Sequence, residues 1–244
     1  MRVGDTGTCG CTKTINVRTD AELLDMIVKE VQSALRERRP ARAAHAATGS
    51  GTYPRVPLGV SNRHIHITEP TFHRLFGPAA AFEQMRPLYQ PGEFASAHTL
   101  TVVGPKLRSI PGVRILGPLR KYDQVEVSLT DAIFLGIDPP VANSGTLDRA
   151  APLTLAGPAG SVYLEHCAIV ASRHIHMTPA DASRLGVRDG DYCRVRIGGE
   201  KCTIFEQVLI RTNPAWRLQI HLDTDDANAA NVRDDSDVEF LGKM

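Results

Sequence analysis

The heptapeptide Asn62-Arg63-His64-Ile65-His66-Ile67-Thr68 returns far down the chain as Ser172-Arg173-His174-Ile175-His176-Met177-Thr178. In an extended strand successive side chains point to opposite faces. The two histidines of each copy therefore stand side by side, and the central isoleucine is sent into a core behind them. A helix would turn residues i and i+2 away from each other. The repeat thus asks for two β-units of similar build, each presenting a pair of imidazoles on one face.

The surrounding sequence has the texture such units need. From Val56 onward, short β-type runs alternate with Gly and Pro, most clearly at 99–105, 113–118, 124–129, 152–158, 167–177, 193–198, 202–211 and 217–223. Many short strands at this spacing indicate a sandwich or barrel. Two further echoes support a duplication. Leu100-Thr101-Val102-Val103-Gly104-Pro105 resembles Leu153-Thr154-Leu155-Ala156-Gly157-Pro158, and Asp131-Ala132 with Leu135-Gly136-Ile137 resembles Asp181-Ala182 with Leu185-Gly186-Val187. The pieces do not follow one order in both halves. The expected fold is mainly β: two similar small barrels from a rearranged internal duplication, over 56–150 and 151–244, with strands open to exchange between them. Short helices cap the barrels; Thr178-Pro179-Ala180-Asp181 has the cap, first-turn proline and acid of a helix start.

Residues 1–55 read differently. A Gly/Thr-rich tail (1–18) leads to the capping box Thr19-Asp20-Ala21-Glu22. Behind it Leu24, Ile27, Val28, Val31, Ala34 and Leu35 recur at helical spacing, Arg36, Arg38 and Arg39 fall in the last turn, and Pro40 stops the run. An amphipathic helix over about 19–39 is expected, followed by an Ala/Gly/Ser/Thr linker. Such a tethered helix docks either on its own core or on an outside partner.

Net charge is only +1, which gives no general attraction to nucleic acid or anionic lipid. No apolar run is long enough to span a bilayer, and the N-terminus lacks a secretory apolar core; a soluble cytosolic protein is expected. Cys167, Cys193 and Cys202 sit singly among strand residues, the setting of a small buried hydrophobe. Cys9 and Cys11 lie in the tail, without a third ligand nearby. None has the surroundings of a nucleophile.

The His-x-His pairs suit chelation, since imidazole nitrogens bind zinc at about 2.0–2.1 Å. His221, in Ile220-His221-Leu222, and Glu126, in Val125-Glu126-Val127, are candidates to complete the sites. For Glu126 the pattern fits the solvent face of an edge strand equally well. His45, His73, His98 and His166 have no such context. Four paired histidines, one more and a carboxylate exceed one closed tetrahedral site and point to two metals with open positions. The donor types suit Zn²⁺, and equally admit Co²⁺, Ni²⁺ or Fe²⁺. Arg120, in Gly117-Pro118-Leu119-Arg120-Lys121, is either a phosphate clamp or a surface arginine.

Taken together, SNRHIH, VRILGPLRKYDQVEVSLTDA, SRHIHMTPADA and HLDTDDANAA closely resemble the phosphate propanoyltransferases of bacterial microcompartments, from about Val56 to about Asn231. The resemblance implies two β-barrels and exchange of phosphate and coenzyme A on a short acyl group, propanoyl or acetyl, in the setting of propanediol degradation. It implies one zinc on His64, His66 and Glu126 and a second on His174, His176 and His221. Arg120 would orient phosphate, and Ser61, Arg114, Leu116 and Asn228 would contact coenzyme A. It also implies a homodimer, and gives the N-terminal helix the role of an encapsulation peptide meeting shell or core proteins of a microcompartment. A two-zinc acyl-CoA hydrolase and a non-catalytic protein with structural zinc are the competing readings of the same ligands.

Overall fold

The computed structural model describes residues 26–31 and 53–244, except residue 235. Of the expected N-terminal helix, residues 26–31 are described and helical (α1), with Ile27 and Val31, one turn apart, both exposed. The remainder of 19–39, the linker, Cys9, Cys11 and His45 lie outside the described residues. No helix among the described residues is long and apolar enough to cross a membrane.

From residue 53 the chain is mainly β and forms two closed six-stranded rings. One ring contains β2 (His64–His66), β4 (Phe94–Val103), β5 (Ser109–Gly117), β6 (Gln124–Glu126), β8 (Ala151–Gly157) and β9 (Gly160–Ala171). It closes because β8 pairs with both β4 and β9; β3 (Gln84–Pro87) and β7 (Val141–Ala142) add at its edges. The other ring runs β1 (Arg55–Ser61), β13 (Gln219–Asp223), β10 (His174–Met177), β12 (Thr203–Thr212), β11 (Tyr192–Ile197) and β14 (Asp237–Lys243), and returns to β1. Closure pairs each of the six ring strands on both sides, so the only sheet ends among the described residues are the short strands β3 and β7.

The rings match strand for strand. Each His-Ile-His strand has a parallel neighbour on one side (β5 or β12) and an antiparallel one on the other (β6 or β13). Beyond these, β9 and β1 pair parallel with β6 and β13. The element order within the two rings is also the same, except that the closing strand is exchanged. β1 completes the ring of residues 174–243 and then leads into β2; β9 completes the ring of residues 64–171 and then leads into β10. Residues 151–171, grouped with the second unit in the sequence, therefore pair into the first ring. The chain passes between rings at Asn62-Arg63 and at Ser172-Arg173, immediately before each histidine pair. The run 167–177, read above as one strand, breaks there for that reason.

Two sequence echoes change meaning. The strands holding Leu100–Pro105 and Leu153–Pro158 are paired neighbours in one ring, Val102 opposite Leu155. The true counterpart of the β6 segment is β13: Gln124-Val125-Glu126 with Asp131-Ala132 answers Gln219-Ile220-His221 with Asp226-Ala227.

Each ring has its own apolar core, and Ile65 and Ile175 sit fully buried in their respective ones. Burying such a side chain contributes about 1.5–3 kcal/mol. Helices α2 (Glu69–Phe76), α3 (Leu129–Leu135), α4 (Pro179–Leu185) and α5 (Thr224–Ala230) follow β2, β6, β10 and β13. Their side-chain caps Thr68, Ser128, Thr178 and Asp223 each accept from a backbone N–H of the first turn. Gly117, just before the Arg120 turn, packs so closely on Phe94 that a Cβ would lie 2.2 Å from its ring.

Candidate metal centres

Across the antiparallel pair β2–β6, His64 stands opposite Glu126 and His66 opposite Gln124. His64, His66 and Glu126 are all buried, and one ligand atom from each lies within 4.8 Å of the others. His64 Nδ1 is 2.8 Å from the Asn62 carbonyl, which assigns the proton to Nδ1 and leaves Nε2 facing Glu126 Oε2 at 3.5 Å. The two histidine rings meet edge to face, centroids 5.0 Å apart. His66 Nδ1 is buried and has no hydrogen-bond partner among the described residues. The carboxylate is held from behind: Gln124, fully buried, donates from Nε2 to Glu126 Oε1 at 2.7 Å, while its own Oε1 accepts from the Gly145 N–H.

The electrostatics of this group are unbalanced. Burial, with His64 adding to it, pushes His66 down to about 3, so its imidazole is neutral at ordinary pH. Burial also opposes a charge on Glu126, but the surrounding histidines, His64 foremost, outweigh it and hold the carboxyl below its ordinary value. The carboxylate thus calls for positive charge that burial denies to His66. A cation between the three side chains meets both demands, and neutral imidazole with carboxylate is a donor set for a borderline divalent metal. The residues fit such an ion.

The second group is built on β10 and β13, where His174 stands opposite His221 and His176 opposite Gln219. The ring centroids of His174, His176 and His221 lie 4.7–5.0 Å apart. His174 repeats the anchoring of His64, its Nδ1 lying 2.8 Å from the Ser172 carbonyl. Both nitrogens of His176 and Nε2 of His221 are buried without a hydrogen-bond partner among the described residues. Burial, with nearby His174, lowers His176 to about 2 and His221 to about 3, leaving both neutral. These three imidazoles are gathered on one face, but only His64, His66 and Glu126 form a group whose ligand atoms all lie within 4.8 Å of one another among the described residues.

The groups lie on outward faces of the rings that are turned toward one another. A cleft between them is lined by Glu126 of the first ring, by Ser61, His174, His221 and Asp223 of the second, and by Asn62, Arg63 and Ser172 where the chain crosses between them. Two matched ion pairs frame it. Arg63 makes a two-toothed pair with Asp131 of α3, both contacts 2.7 Å, and Arg173 does the same with Asp226 of α5 at 2.7 and 2.9 Å. The arginine at each crossing is thereby tied to the helix beyond the third ligand strand.

The other sequence candidates are less convergent. Arg120 lies close enough to lower His66 by its charge, and its guanidinium is ion-paired with Glu93. Its Nε is buried without a hydrogen-bond partner among the described residues. Ser61 reaches the cleft from the end of β1. Arg114 donates to the carbonyls of Ser96 and Ala97, and Leu116 offers its backbone to His66. Asn228 is exposed on α5, its carbonyl 3.5 Å from Lys201 Nζ.

Several residues at the site escaped the sequence reading. Gln124 was visible through the Gln124/Gln219 repeat, had β6 been aligned with β13. Glu93, Arg211 and Trp216 carry no local signal, because only folding brings their loops and strand ends to the histidines. Trp216 stacks on His176 with centroids 4.1 Å apart.

The family profile described as phosphate propanoyltransferase matches residues 57–233. A phosphate propanoyltransferase of Lachnoclostridium phytofermentans is 44% identical over 209 residues, 86% of this chain and 93% of its own. One from Salmonella typhimurium is 43% identical over 87% of this chain and 93% of its own, and one from Rhodobacter capsulatus 48% over 74% and 84%. With a profile spanning both rings and relatives this similar over most of their length, the chain belongs to the phosphate propanoyltransferase family of acyltransferases.

Proposed function

We propose that this chain interconverts acyl-CoA plus phosphate and acyl phosphate plus coenzyme A, with propanoyl as the acyl group, using two zinc ions. The observation that carries the proposal is the buried His64, His66 and Glu126 donor group, whose Glu126 lines one cleft with His174 and His221, in a chain of this family. His64, His66 and Glu126 would hold one zinc, and His174, His176 and His221 the other. Bound there, the metals would supply positive charge to the departing sulfur and to phosphate.

The chain's own groups do the rest. Arg120, beside His66, would bind and orient phosphate, exchanging Glu93 for the dianion. Gln124 keeps one oxygen of Glu126 occupied and the other turned toward His64. Direct attack by phosphate needs no protein nucleophile. Buried Cys167 and Cys193, whose thiols burial pushes up to about 12, are unsuited to be one. Ser61, Arg114, Leu116 and Asn228 would meet coenzyme A around the cleft.

The N-terminal segment would act as an encapsulation peptide, placing the enzyme in a bacterial microcompartment against shell or core proteins, with the catalytic part a homodimer. In support, α1 exposes Ile27 and Val31, and matches covering 87% of the chain necessarily reach into the segment before residue 53.

The test is release of free thiol from propanoyl-CoA with and without phosphate. Release that depends on phosphate, with propanoyl phosphate as product, supports the transferase. Equal release without phosphate, with free propanoate as product, overturns it in favour of a hydrolase.

A further inference from the structure

The histidines around the cleft are not all anchored in the same way. His64 and His174 are each fixed by a hydrogen bond from Nδ1 to the carbonyl two residues earlier. His66 has the backbone of Leu116. His176 has neither kind of support: both its ring nitrogens are buried without a hydrogen-bond partner among the described residues. A ligand imidazole ordinarily owes its orientation to a hydrogen bond on the nitrogen that does not bind metal. Here an aromatic face takes that place. The indole of Trp216 lies over His176 with centroids 4.1 Å apart and planes 27° from parallel. His221 closes on His176 at 4.7 Å, 49° from parallel.

The indole is itself fixed. It ends a tight turn in which the Trp216 N–H donates to the Asn213 carbonyl and the Ala215 N–H to Asn213 Oδ1. That turn is pinned to the end of β10 by the Asn213 N–H on the Met177 carbonyl. The guanidinium of Arg211, register partner of His176 on β12, rests on the same indole, 5.3 Å from its centroid. Trp216 is thus held relative to the strand that carries His176, and can hold the ring in turn.

We infer that Trp216 is a positioning residue for the His174, His176 and His221 centre: its stacking fixes the His176 ring in the orientation that binds metal. As the chain's single tryptophan, it also makes its fluorescence a reporter of that centre. This rests on the two-metal reading above.

The test titrates the full-length chain, stripped of metal with a chelator, with Co²⁺, following bound metal and tryptophan emission together. Wild type should take up two equivalents, with quenching confined to one of them. His64→Ala should keep the quenching and His176→Ala should lose it. Trp216→Ala should bind the second equivalent about 10–100-fold more weakly, the range seen when a ligand's supporting partner is removed. Trp216→Phe, which can still stack, should restore most of the affinity. If wild type takes up one equivalent with no change in emission, the two-metal reading falls and this inference with it. If wild type and Trp216→Ala both take up two with equal affinity, the two-metal reading stands and the role of Trp216 is overturned.

Discussion

Glu126 and His221 occupy the same position in the two rings. Each faces the first histidine of a His-Ile-His strand across an antiparallel pair, Glu126 opposite His64 and His221 opposite His174. One scaffold position therefore carries a carboxylate in one ring and an imidazole in the other. The two clusters thus share backbone geometry and differ by one carboxylate; in the proposed reaction this would let one serve the leaving sulfur and the other the entering phosphate.

Glu126→Ala should lower zinc content from about two ions per chain to about one, since three-ligand sites depend on each ligand. Circular dichroism should show the fold retained, because Ile65 and Val125, on the opposite face, keep the core filled. Two ions in the purified variant, measured by elemental analysis, would contradict the assignment of Glu126 as ligand.

Gln124→Ala removes the donor that holds Glu126 Oε1 and leaves the Gly145 N–H without its acceptor. Metal affinity at the first centre should fall about 10–100-fold. Stability should fall by about 1–3 kcal/mol for the buried groups left unpaired. Chelator competition and thermal melting report the two effects separately. An unchanged affinity with lowered stability would make Gln124 purely structural.

Arg120 and Glu93 form one ion pair with opposite expected roles. Arg120→Ala should raise the KM for phosphate about 10–100-fold, the worth of a charge-assisted hydrogen bond. The KM for acyl-CoA should change far less. Glu93→Gln removes the competing carboxylate and should lower the phosphate KM. Steady-state kinetics with phosphate varied distinguishes these outcomes, and parallel increases in both variants would argue against competition for Arg120.

Metal-free protein should lose stability between pH 7 and 5. His66, His176 and His221 are held at about 3, 2 and 3 in the folded chain, against an ordinary 6.5. The unfolded chain therefore takes up protons first as pH falls. The stabilisation is complete above about 6.5 and diminishes steadily below it, toward the folded values. Melting temperatures of chelator-treated protein across this window check the sign; a flat profile would mean that these imidazoles are not held neutral.

Much of the candidate site was legible in the chain itself. The His-x-His pairs, Glu126, His221 and Arg120 could be nominated because strand periodicity is local: two residues apart means one face, whatever the strand pairs with. The mainly β character followed from the same period. Local sequence likewise specified the helix at 179–185, through Thr178, Pro179 and Asp181.

What sequence could not reach depends on contacts between distant residues. That β1 closes one ring and β9 the other, so the chain crosses just before each histidine pair, follows from which strand edges find each other. The equivalence of Glu126 and His221 appears only once β6 and β13 are seen to hold the same place. Gln124 behind the carboxylate, the Arg63–Asp131 and Arg173–Asp226 pairs and Trp216 on His176 are meetings of segments far apart in the chain. The two His-Ile-His motifs thus declared in the sequence that each presents two imidazoles on one face. Tertiary structure turned their outward faces toward one cleft and chose the neighbours that hold each ring.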